Sequence, residues 1–186
     1  MIIAVDGPTA SGKGTIAKAL AAHFGLPHLD TGLLYRAVGR QVDVAGGNPD
    51  SPEDALAATN FADNLLDDPE LRTEVTGSLA SRVSIHPAVR QALFDRQRSF
   101  AMQEGGAVLD GRDIGTVVLP DARAKLFVTA DPDVRAARRW RELSKDRDIA
   151  YRDVLRDIEE RDARDAARPD APMRQAADAD LLDTTN

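Results

Sequence analysis

Residues 7–15 read GPTASGKGT, which is within one position of the phosphate-binding pattern G-x-x-x-x-G-K-[ST]. We call this segment the phosphate loop. Gly7 and Gly12 allow backbone conformations that aim successive N–H groups at a phosphate, and Lys13 adds a positive charge. An apolar run at 2–5 precedes the loop and apolar residues at helical spacing follow it, which is the strand–loop–helix order that the motif requires. The loop therefore predicts a site for the phosphates of a nucleoside triphosphate.

The residue after Lys13 departs from this pattern. In nucleotide-dependent motors and switches, a hydroxyl at that position binds Mg²⁺, but here the position is Gly14 and the hydroxyl comes one residue later, at Thr15. Because Mg²⁺ keeps several waters and needs few protein ligands, water and phosphate oxygens can still hold the ion. The G-K-G-T ending resembles that of several nucleoside monophosphate kinases, which implies that Thr15 reaches an α-phosphate oxygen.

A second group of candidate residues follows the predicted strand at 27–30. Asp30, Thr31, Tyr35 and Arg36 lie at the end of this strand and in the first turns of the next helix. A helix N-terminus with an arginine one turn along can bind a second anion. Asp30 or Thr31 could equally cap the helix, and the spacing favours neither interpretation.

The segment VLDGRDIGT at 108–116 carries a third group. Asp110 ends an apolar strand, as does the acid that holds Mg²⁺ in P-loop NTPases, although a carboxylate at a strand end is also commonly just solvated. Arg112 and Asp113 stand between glycines, where they could pair with each other or bind separate groups of a ligand.

Half of the 20 arginines fall between residues 131 and 168, a region with two predicted helices and the segment that joins them. Arg161, Asp165 and Arg168 are spaced i, i+4 and i+7, so they would share one helix face. One interpretation is a solvated helix with internal ion pairs. The other is a mobile, arginine-rich lid over about 135–152, which would exclude water and neutralise the transferring phosphoryl group with residues such as Arg138.

Short apolar runs predict the elements that position these groups. The strands are expected at 2–5, 27–30, 107–111, 124–130 and 179–184. Glycines, prolines and capping residues delimit helices from the phosphate loop to Phe24 and at 31–47, 51–68, 70–84, 87–104, 133–145 and 151–167. Strands that alternate with helices predict an α/β fold with a five-stranded parallel sheet, whose carboxyl edge collects the candidate residues.

Composition narrows the function classes. The net charge of −7 argues against a generic nucleic-acid binder, and 20 of the 24 basic residues are arginine, whose planar fork suits phosphate. The absence of Cys excludes thiol catalysis and Cys-based metal sites, and the three His residues are far apart. No apolar run is long enough for a membrane helix. We expect a cytoplasmic monomer that binds small molecules rather than nucleic acid polymers or membranes.

Together these blocks resemble the bacterial cytidylate kinases, which are P-loop kinases of nucleoside monophosphates. The matching segments are IAVDGPTASGKGT, LDTGLLYR, HPAVRQALFDRQRSFA, LDGRDIGTVVLPDA, ERDARDAARPDAP and ADLLDT, and they occur in the family's order. The resemblance implies a P-loop NTPase-like fold and the transfer of a phosphoryl group from ATP, with Mg²⁺, to CMP and dCMP.

The resemblance also implies a role for each matching residue. ATP would be bound by Gly7, Pro8, Thr9, Ala10, Ser11, Gly12, Lys13, Gly14 and Thr15. The transferring phosphoryl group would be stabilised by Lys13, Arg112, Arg138 and Arg161. The CMP phosphate would be bound by Arg36, Arg112 and Arg168, the ribose by Arg161 and Asp165, and the cytosine by Ser81, Arg90 and Asp113. A carboxylate suits cytosine, because it can accept from the exocyclic amine that uracil lacks. The CMP pocket would be lined by Thr31 and Tyr35, and Mg²⁺ would be held through water by Asp110.

The implied organisation is a single kinase domain over 1–186. Its core would be 1–47 and 87–186, with a CMP-binding insert at about 48–86 and the lid at about 135–152. The insert reads as helical, with no strand hairpin. The resemblance further implies a helix beyond Asn186, where this sequence stops.

Two other interpretations stay open. Another small-acceptor P-loop kinase, acting on UMP, AMP or a metabolite hydroxyl, would carry the same phosphate loop, and a hydroxyl acceptor would need Asp110 or Asp113 as a base. A GTP-dependent switch would need an N-K-x-D motif, which the sequence lacks.

Overall fold

The fold is built on a central sheet of short strands. The computed structural model describes residues 1–145 and 148–186. Within them the strands are β1 Ile2–Asp6, β2 His28–Asp30, β3 Ala107–Gly111, β4 Ala124–Thr129 and β5 Asp180–Asp183. Their order in the sheet is β2-β3-β1-β4-β5, and β1 pairs in parallel with β3 and β4, as β4 does with β5. The predicted five-stranded parallel α/β sheet is therefore confirmed.

Helices connect the strands. The α-helices are α1 Lys13–Phe24, α2 Thr31–Val44, α3 Pro52–Ala57, α4 Glu74–Val83, α5 Pro87–Ala101, α6 Pro132–Leu143 and α7 Tyr151–Ala166. Two 3-10 helices span Asp63–Asp67 and Pro69–Arg72, and a π-helical turn spans Ile114–Val118. Among the residues that the structure describes, no helix is long and apolar enough to cross a membrane.

The chain divides into two compact units, which are described separately. The sheet unit comprises residues 1–29 and 104–186, and the helical unit comprises residues 30–103. The core of the sheet unit packs α1 against the strands, through the buried residues Ile3, Val5, Ala17, Ala21, Val108 and Val128. A second cluster joins α6 and α7, through Ala136, Val154 and Ile158.

The register of the sheet brings the ends of two strands together. Asp6, the last residue of β1, pairs with Gly111, the last residue of β3. Because the two strands are parallel, the phosphate loop that follows β1 and the loop that follows β3 leave the same edge of the sheet.

The helical unit depends on a close approach of α2 to α4. A Cβ placed on Gly39 of α2 would lie 2.8 Å from the Cβ of Leu79 and 3.0 Å from the backbone nitrogen of Ala80 on α4. Glycine is therefore required at this crossing. Leu34, Val38 and Val42 of α2 are buried around it.

Two predicted helices differ from the structure. The helix predicted at 51–68 is wrong, because α3 ends at Ala57 and a 3-10 helix begins at Asp63. The Thr59 hydroxyl donates to the Leu56 carbonyl at the end of α3, and the chain then turns so that Phe61 is buried. The helix predicted at 70–84 begins only at Glu74, because Thr73 caps α4 by accepting from the Thr76 N–H.

Candidate active site

The phosphate loop has the backbone that its glycines predict. Gly7, Ala10 and Gly12 have φ angles of 149°, 59° and 87°, all of them positive. A Cβ on Gly7 would lie 2.0 Å from the carbonyl oxygen of Val128, so the loop passes directly against β4. Gly12 precedes Lys13, the first residue of α1. The N-terminus of α1 and the lysine thus stand at the end of a loop suited to phosphate.

Asp110 lies beside the phosphate loop. Its side chain is buried, and its Oδ1 is 2.6 Å from Nε2 of His28 on β2. A Cβ on Gly14 would lie 3.8 Å from Oδ2 of Asp110. The interpretation of Asp110 as a solvated carboxylate is therefore wrong, and the carboxylate faces the position at which other phosphate loops carry a hydroxyl. In the described ranges, no group of three or more His, Cys, Asp and Glu residues forms a metal-binding cluster.

Arg112 joins three elements of the sheet unit. Its Nη2 donates to the Thr9 hydroxyl of the phosphate loop at 2.7 Å, and its Nε donates to Oδ2 of Asp165 on α7 at 2.9 Å. Nη2 of Arg168 donates to the other oxygen of Asp165. Sequence spacing placed Arg168 on the same helix, but α7 ends at Ala166, so Arg168 reaches Asp165 from beyond the helix end. We call Arg112, Asp165 and Arg168 the arginine–aspartate cluster.

Asp165 is the buried member of the arginine–aspartate cluster, and neighbouring arginines balance its charge. Asp165 is only 1% exposed. Burial favours the neutral carboxyl, but the charges of Arg112, Arg168 and Arg161 together outweigh it and lower the pKa of Asp165 below its ordinary value. Asp165 therefore stays ionised and accepts from two guanidinium groups.

The loop after β3 is held by Asp6. The two oxygens of this buried carboxylate accept from the backbone N–H groups of Ile114 and Gly115, at 2.8 and 2.7 Å. Burial is the main reason that the pKa of Asp6 rises to about 6, and the negative charge of Asp113 adds to it, while the two N–H groups and Arg112 oppose it. Asp113 itself is 5% exposed and immediately precedes the π-helical turn.

The arginines of α6 are not all on a solvated face. Nε of Arg135 donates to the Ala130 carbonyl at 2.8 Å, Nη1 donates to the Thr9 carbonyl at 3.3 Å, and Nη2 is 2.7 Å from Asp162 on α7. Arg138 donates to the Thr184 hydroxyl at 2.9 Å, and that hydroxyl contacts the Ser11 carbonyl at 2.9 Å.

Part of the predicted lid lies outside the described residues. Positions 146 and 147 are not described, whereas α6 covers the beginning of the lid and α7 its end. The Trp140 indole on α6 donates to the Ile149 carbonyl at 2.9 Å. Exposed ion pairs such as Arg139–Glu142 fit the solvated interpretation for part of this region. The mobile lid stays a prediction.

The helical unit holds the other candidate residues. Asp30 caps α2, because its Oδ1 accepts from the Gly32 N–H at 3.0 Å, and Thr31 is buried behind it. Nη1 of Arg36 donates to the carbonyls of Leu71 and Thr73, at 2.6 and 2.7 Å. The capping interpretation of Asp30 is therefore confirmed.

The guanidinium of Arg36 also packs on α4. A Cβ on Gly77 would lie 2.8 Å from its Nη2. Ser81 is one turn further along α4, and its buried hydroxyl has no hydrogen-bond partner among the described residues. Tyr35 is on α2, and Arg90 is in the first turn of α5.

Sequence reasoning missed the residues that support the site. These are Asp6, His28, Arg135, Asp162 and Thr184. Asp6 offered a signal, because it is a charged residue at the end of an otherwise apolar strand. His28 offered a weaker one, as a polar residue in a predicted strand whose position in the sheet was unknown.

The fold and the phosphate loop together define a P-loop nucleotide-binding protein. The family model described as Cytidylate kinase matches residues 3–186. A cytidylate kinase of Caulobacter vibrioides (strain NA1000 / CB15N) is 56% identical over 186 residues, which cover 99% of this chain and 87% of the relative. The chain belongs to the cytidylate kinase family.

Further comparisons agree with this assignment. A cytidylate kinase of Xanthobacter autotrophicus (strain ATCC BAA-1158 / Py2) is 58% identical, over 100% of this chain and 89% of the relative. Among solved structures, an uncharacterized protein from Eubacterium ventriosum ATCC 27560 matches with a TM-score of 0.57 at 18% identity, over 100% of this chain and 90% of that chain. The structural match concerns the fold alone.

Proposed function

We propose that this chain transfers the terminal phosphoryl group of ATP to CMP and dCMP, giving CDP and dCDP. Membership of the cytidylate kinase family supports the reaction. The single observation that carries the proposal is the arginine–aspartate cluster, because Arg112 contacts the phosphate loop and Asp165 at once. A guanidinium next to a triphosphate site suits a second phosphate that must lie in line with the first.

The phosphate loop is the proposed ATP site. Its backbone N–H groups and the N-terminus of α1 would bind the β- and γ-phosphates, and Lys13 would neutralise their charge. The residues assigned to ATP are Gly7, Pro8, Thr9, Ala10, Ser11, Gly12, Lys13, Gly14 and Thr15. Contacts of Arg112 and Arg135 to Thr9 support a rigid loop.

The acceptor roles are proposed for each unit by itself. In the helical unit, Arg36 is assigned to a phosphate, Ser81 and Arg90 to cytosine, and Thr31 and Tyr35 to the pocket wall. In the sheet unit, the phosphate is assigned to Arg112 and Arg168, the cytosine amine to Asp113, and the ribose hydroxyls to Arg161 and Asp165. The buried hydroxyl of Ser81 supports its role, because a buried polar group needs a partner.

The proposed reaction needs no covalent intermediate with the protein. A CMP phosphate is already an oxyanion near neutral pH, so the reaction needs no general base. The arginines, including Arg138, and Lys13 would neutralise the phosphoryl group while water is excluded. This agrees with the absence of Cys from the chain.

Mg²⁺ is the proposed cofactor. It would neutralise the phosphate oxygens of ATP during transfer. Asp110 fits this ion, because its buried carboxylate faces Gly14 of the phosphate loop. A carboxylate with water and phosphate oxygens provides the hard oxygen donors that Mg²⁺ prefers.

We also keep the predicted organisation as a proposal. The proposed organisation comprises an insert at about 48–86, a lid at about 135–152 and a monomeric protein in the cytoplasm. Within the helical unit, residues 48–86 contain helices α3 and α4 and the two 3-10 helices, which agrees with a helical insert.

A coupled ADP-release assay with CMP, dCMP, UMP and AMP tests the activity. We expect CMP and dCMP to stimulate ADP release far above UMP and AMP. Arg112→Ala should lower kcat/KM by about 100-fold or more while the protein stays folded. No stimulation by CMP or dCMP, or full CMP turnover by a folded Arg112→Ala variant, would refute the proposal.

A further inference from the structure

His28 is a partly buried polar residue that the proposed reaction does not use. It opens β2, and β2 lies beside β3, whose carboxyl end carries Asp110. The His28 side chain is 16% exposed and that of Asp110 is 3% exposed. The two residues are 82 positions apart in the chain, and their 2.6 Å contact is formed only by the sheet.

The contact orients the carboxylate of Asp110 relative to the phosphate loop. A carboxylate offers only acceptors, so the Nε2–H of His28 is the donor to Oδ1. The other oxygen, Oδ2, is the one that a Cβ on Gly14 would approach at 3.8 Å. One oxygen thus faces His28 on β2, and the other faces Gly14 on α1.

The orientation of Asp110 matters because residue 14 of the phosphate loop is a glycine. Phosphate loops with Ser or Thr after the lysine provide their own hydroxyl for Mg²⁺ at this place. Glycine provides none, whereas Oδ2 of Asp110 lies 3.8 Å from the place that a Cβ on Gly14 would occupy. Without the hydrogen bond from His28, the carboxylate could rotate about its Cβ–Cγ bond to angles at which neither oxygen faces Gly14.

We propose that His28 is a positioning residue, which orients Asp110 so that Oδ2 serves the Mg²⁺ ion that accompanies ATP. Partners that hold a metal-binding side chain through its other atom commonly affect metal affinity by tenfold or more when they are removed. This inference rests on the proposed binding of ATP with Mg²⁺ at the phosphate loop, but not on the identity of the acceptor.

The test measures ATP binding without any acceptor. Isothermal titration calorimetry gives the Kd of ATP with saturating Mg²⁺ and with EDTA. The ratio of the Kd in EDTA to the Kd with Mg²⁺ measures how strongly the ion supports binding. In His28→Leu we expect this ratio to fall about fivefold, with the Kd in EDTA unchanged. His28→Gln keeps an N–H donor at a similar reach, and its ratio should stay within about twofold of the wild type.

His28→Asn is the second variant, because it remains polar but is too short to reach Oδ1. We expect it to show the same fall in the ratio, so the test can be made even if His28→Leu does not fold. The matched control is His23→Leu, which removes an exposed histidine on α1 and should leave the ratio unchanged.

The outcomes separate the two claims. If ATP affinity falls equally with Mg²⁺ and with EDTA in His28→Asn, or does not change in either, the positioning role is refuted. If the ratio falls as expected but CMP is not phosphorylated by the wild type, the proposed acceptor is wrong and the role of His28 stands.

Discussion

Replacement of Asp6 by Asn should remove part of the pH dependence of stability. Asp6 accepts from two backbone N–H groups while it is buried among apolar strands. Burial raises the pKa of its carboxyl from 3.8 to about 6, so the folded protein holds a proton on Asp6 in a pH range in which the unfolded chain has released it.

The magnitude follows from the size of this shift. About two pKa units, at about 1.4 kcal/mol each, correspond to about 3 kcal/mol. Between about pH 4 and pH 6 the folded state binds more protons at Asp6 than the unfolded state, so this residue's contribution to the free energy of unfolding falls as the pH rises. Asp6→Asn cannot titrate and lacks this dependence.

Urea unfolding followed by circular dichroism at pH 4, 5, 6 and 7 checks the reasoning. The stability of the wild type minus that of Asp6→Asn should fall by about 3 kcal/mol from below pH 4 to above pH 6. Asp121→Asn, at an exposed position, serves as the control. A difference that is flat, or that grows as the pH rises, would refute the argument that burial governs the pKa of Asp6.

Three glycines give further predictions. Gly7→Ala should destabilise the fold by about 3 kcal/mol or more and abolish ATP binding, measured by urea unfolding and calorimetry, because the added Cβ would meet the Val128 carbonyl at 2.0 Å. Gly77→Ala should change stability by less than about 1 kcal/mol, because the contact at 2.8 Å is the flexible end of Arg36. Gly77→Ala should also raise KM for CMP about tenfold and leave KM for ATP unchanged, because it displaces Arg36. An unchanged KM for CMP would show that Arg36 is not part of the acceptor site. Gly39→Ala should instead lower the free energy of unfolding by about 2 kcal/mol, because its Cβ would press on the backbone of α4.

Much of the fold could be predicted from local sequence signals. Most strands contain a short apolar run bounded by turn residues, and the observed strands begin and end within one residue of their predicted bounds. The phosphate loop was predictable because its geometry depends on glycines at fixed spacing. These signals act over a few neighbouring residues, so no knowledge of the tertiary structure was needed.

Helix ends were less predictable, because side chains and burial decide them. Thr59 binds a carbonyl at the end of α3, and the burial of Phe61 then draws the chain out of the helical path. Arg168 keeps its partner Asp165 although α7 has already ended. Helical spacing predicted that Arg168 and Asp165 lie on one helix face. The two side chains do meet, but Arg168 lies beyond the end of the helix.

The partners within the site could not be deduced from sequence. Arg112 and Asp165 are 53 positions apart, and His28 and Asp110 are 82 positions apart. Only the strand order, with β3 between β2 and β1, brings the latter pair together. The family resemblance implies roles for particular residues, which stay predictions, but it does not indicate which side chains hold them in place.

The hydrogen bonds of Arg112 have a consequence for substrate binding. Three of the five N–H groups of its guanidinium donate to Asp165, Thr9 and the Gly111 carbonyl, so an acceptor phosphate would meet a guanidinium that protein oxygens already hold in place. With the proposed role of Arg112, the phosphate of CMP would compete with the Asp165 carboxylate for this guanidinium. A nucleoside without a phosphate would not compete in this way. After transfer, the same carboxylate would compete with the product phosphate, which would favour product release.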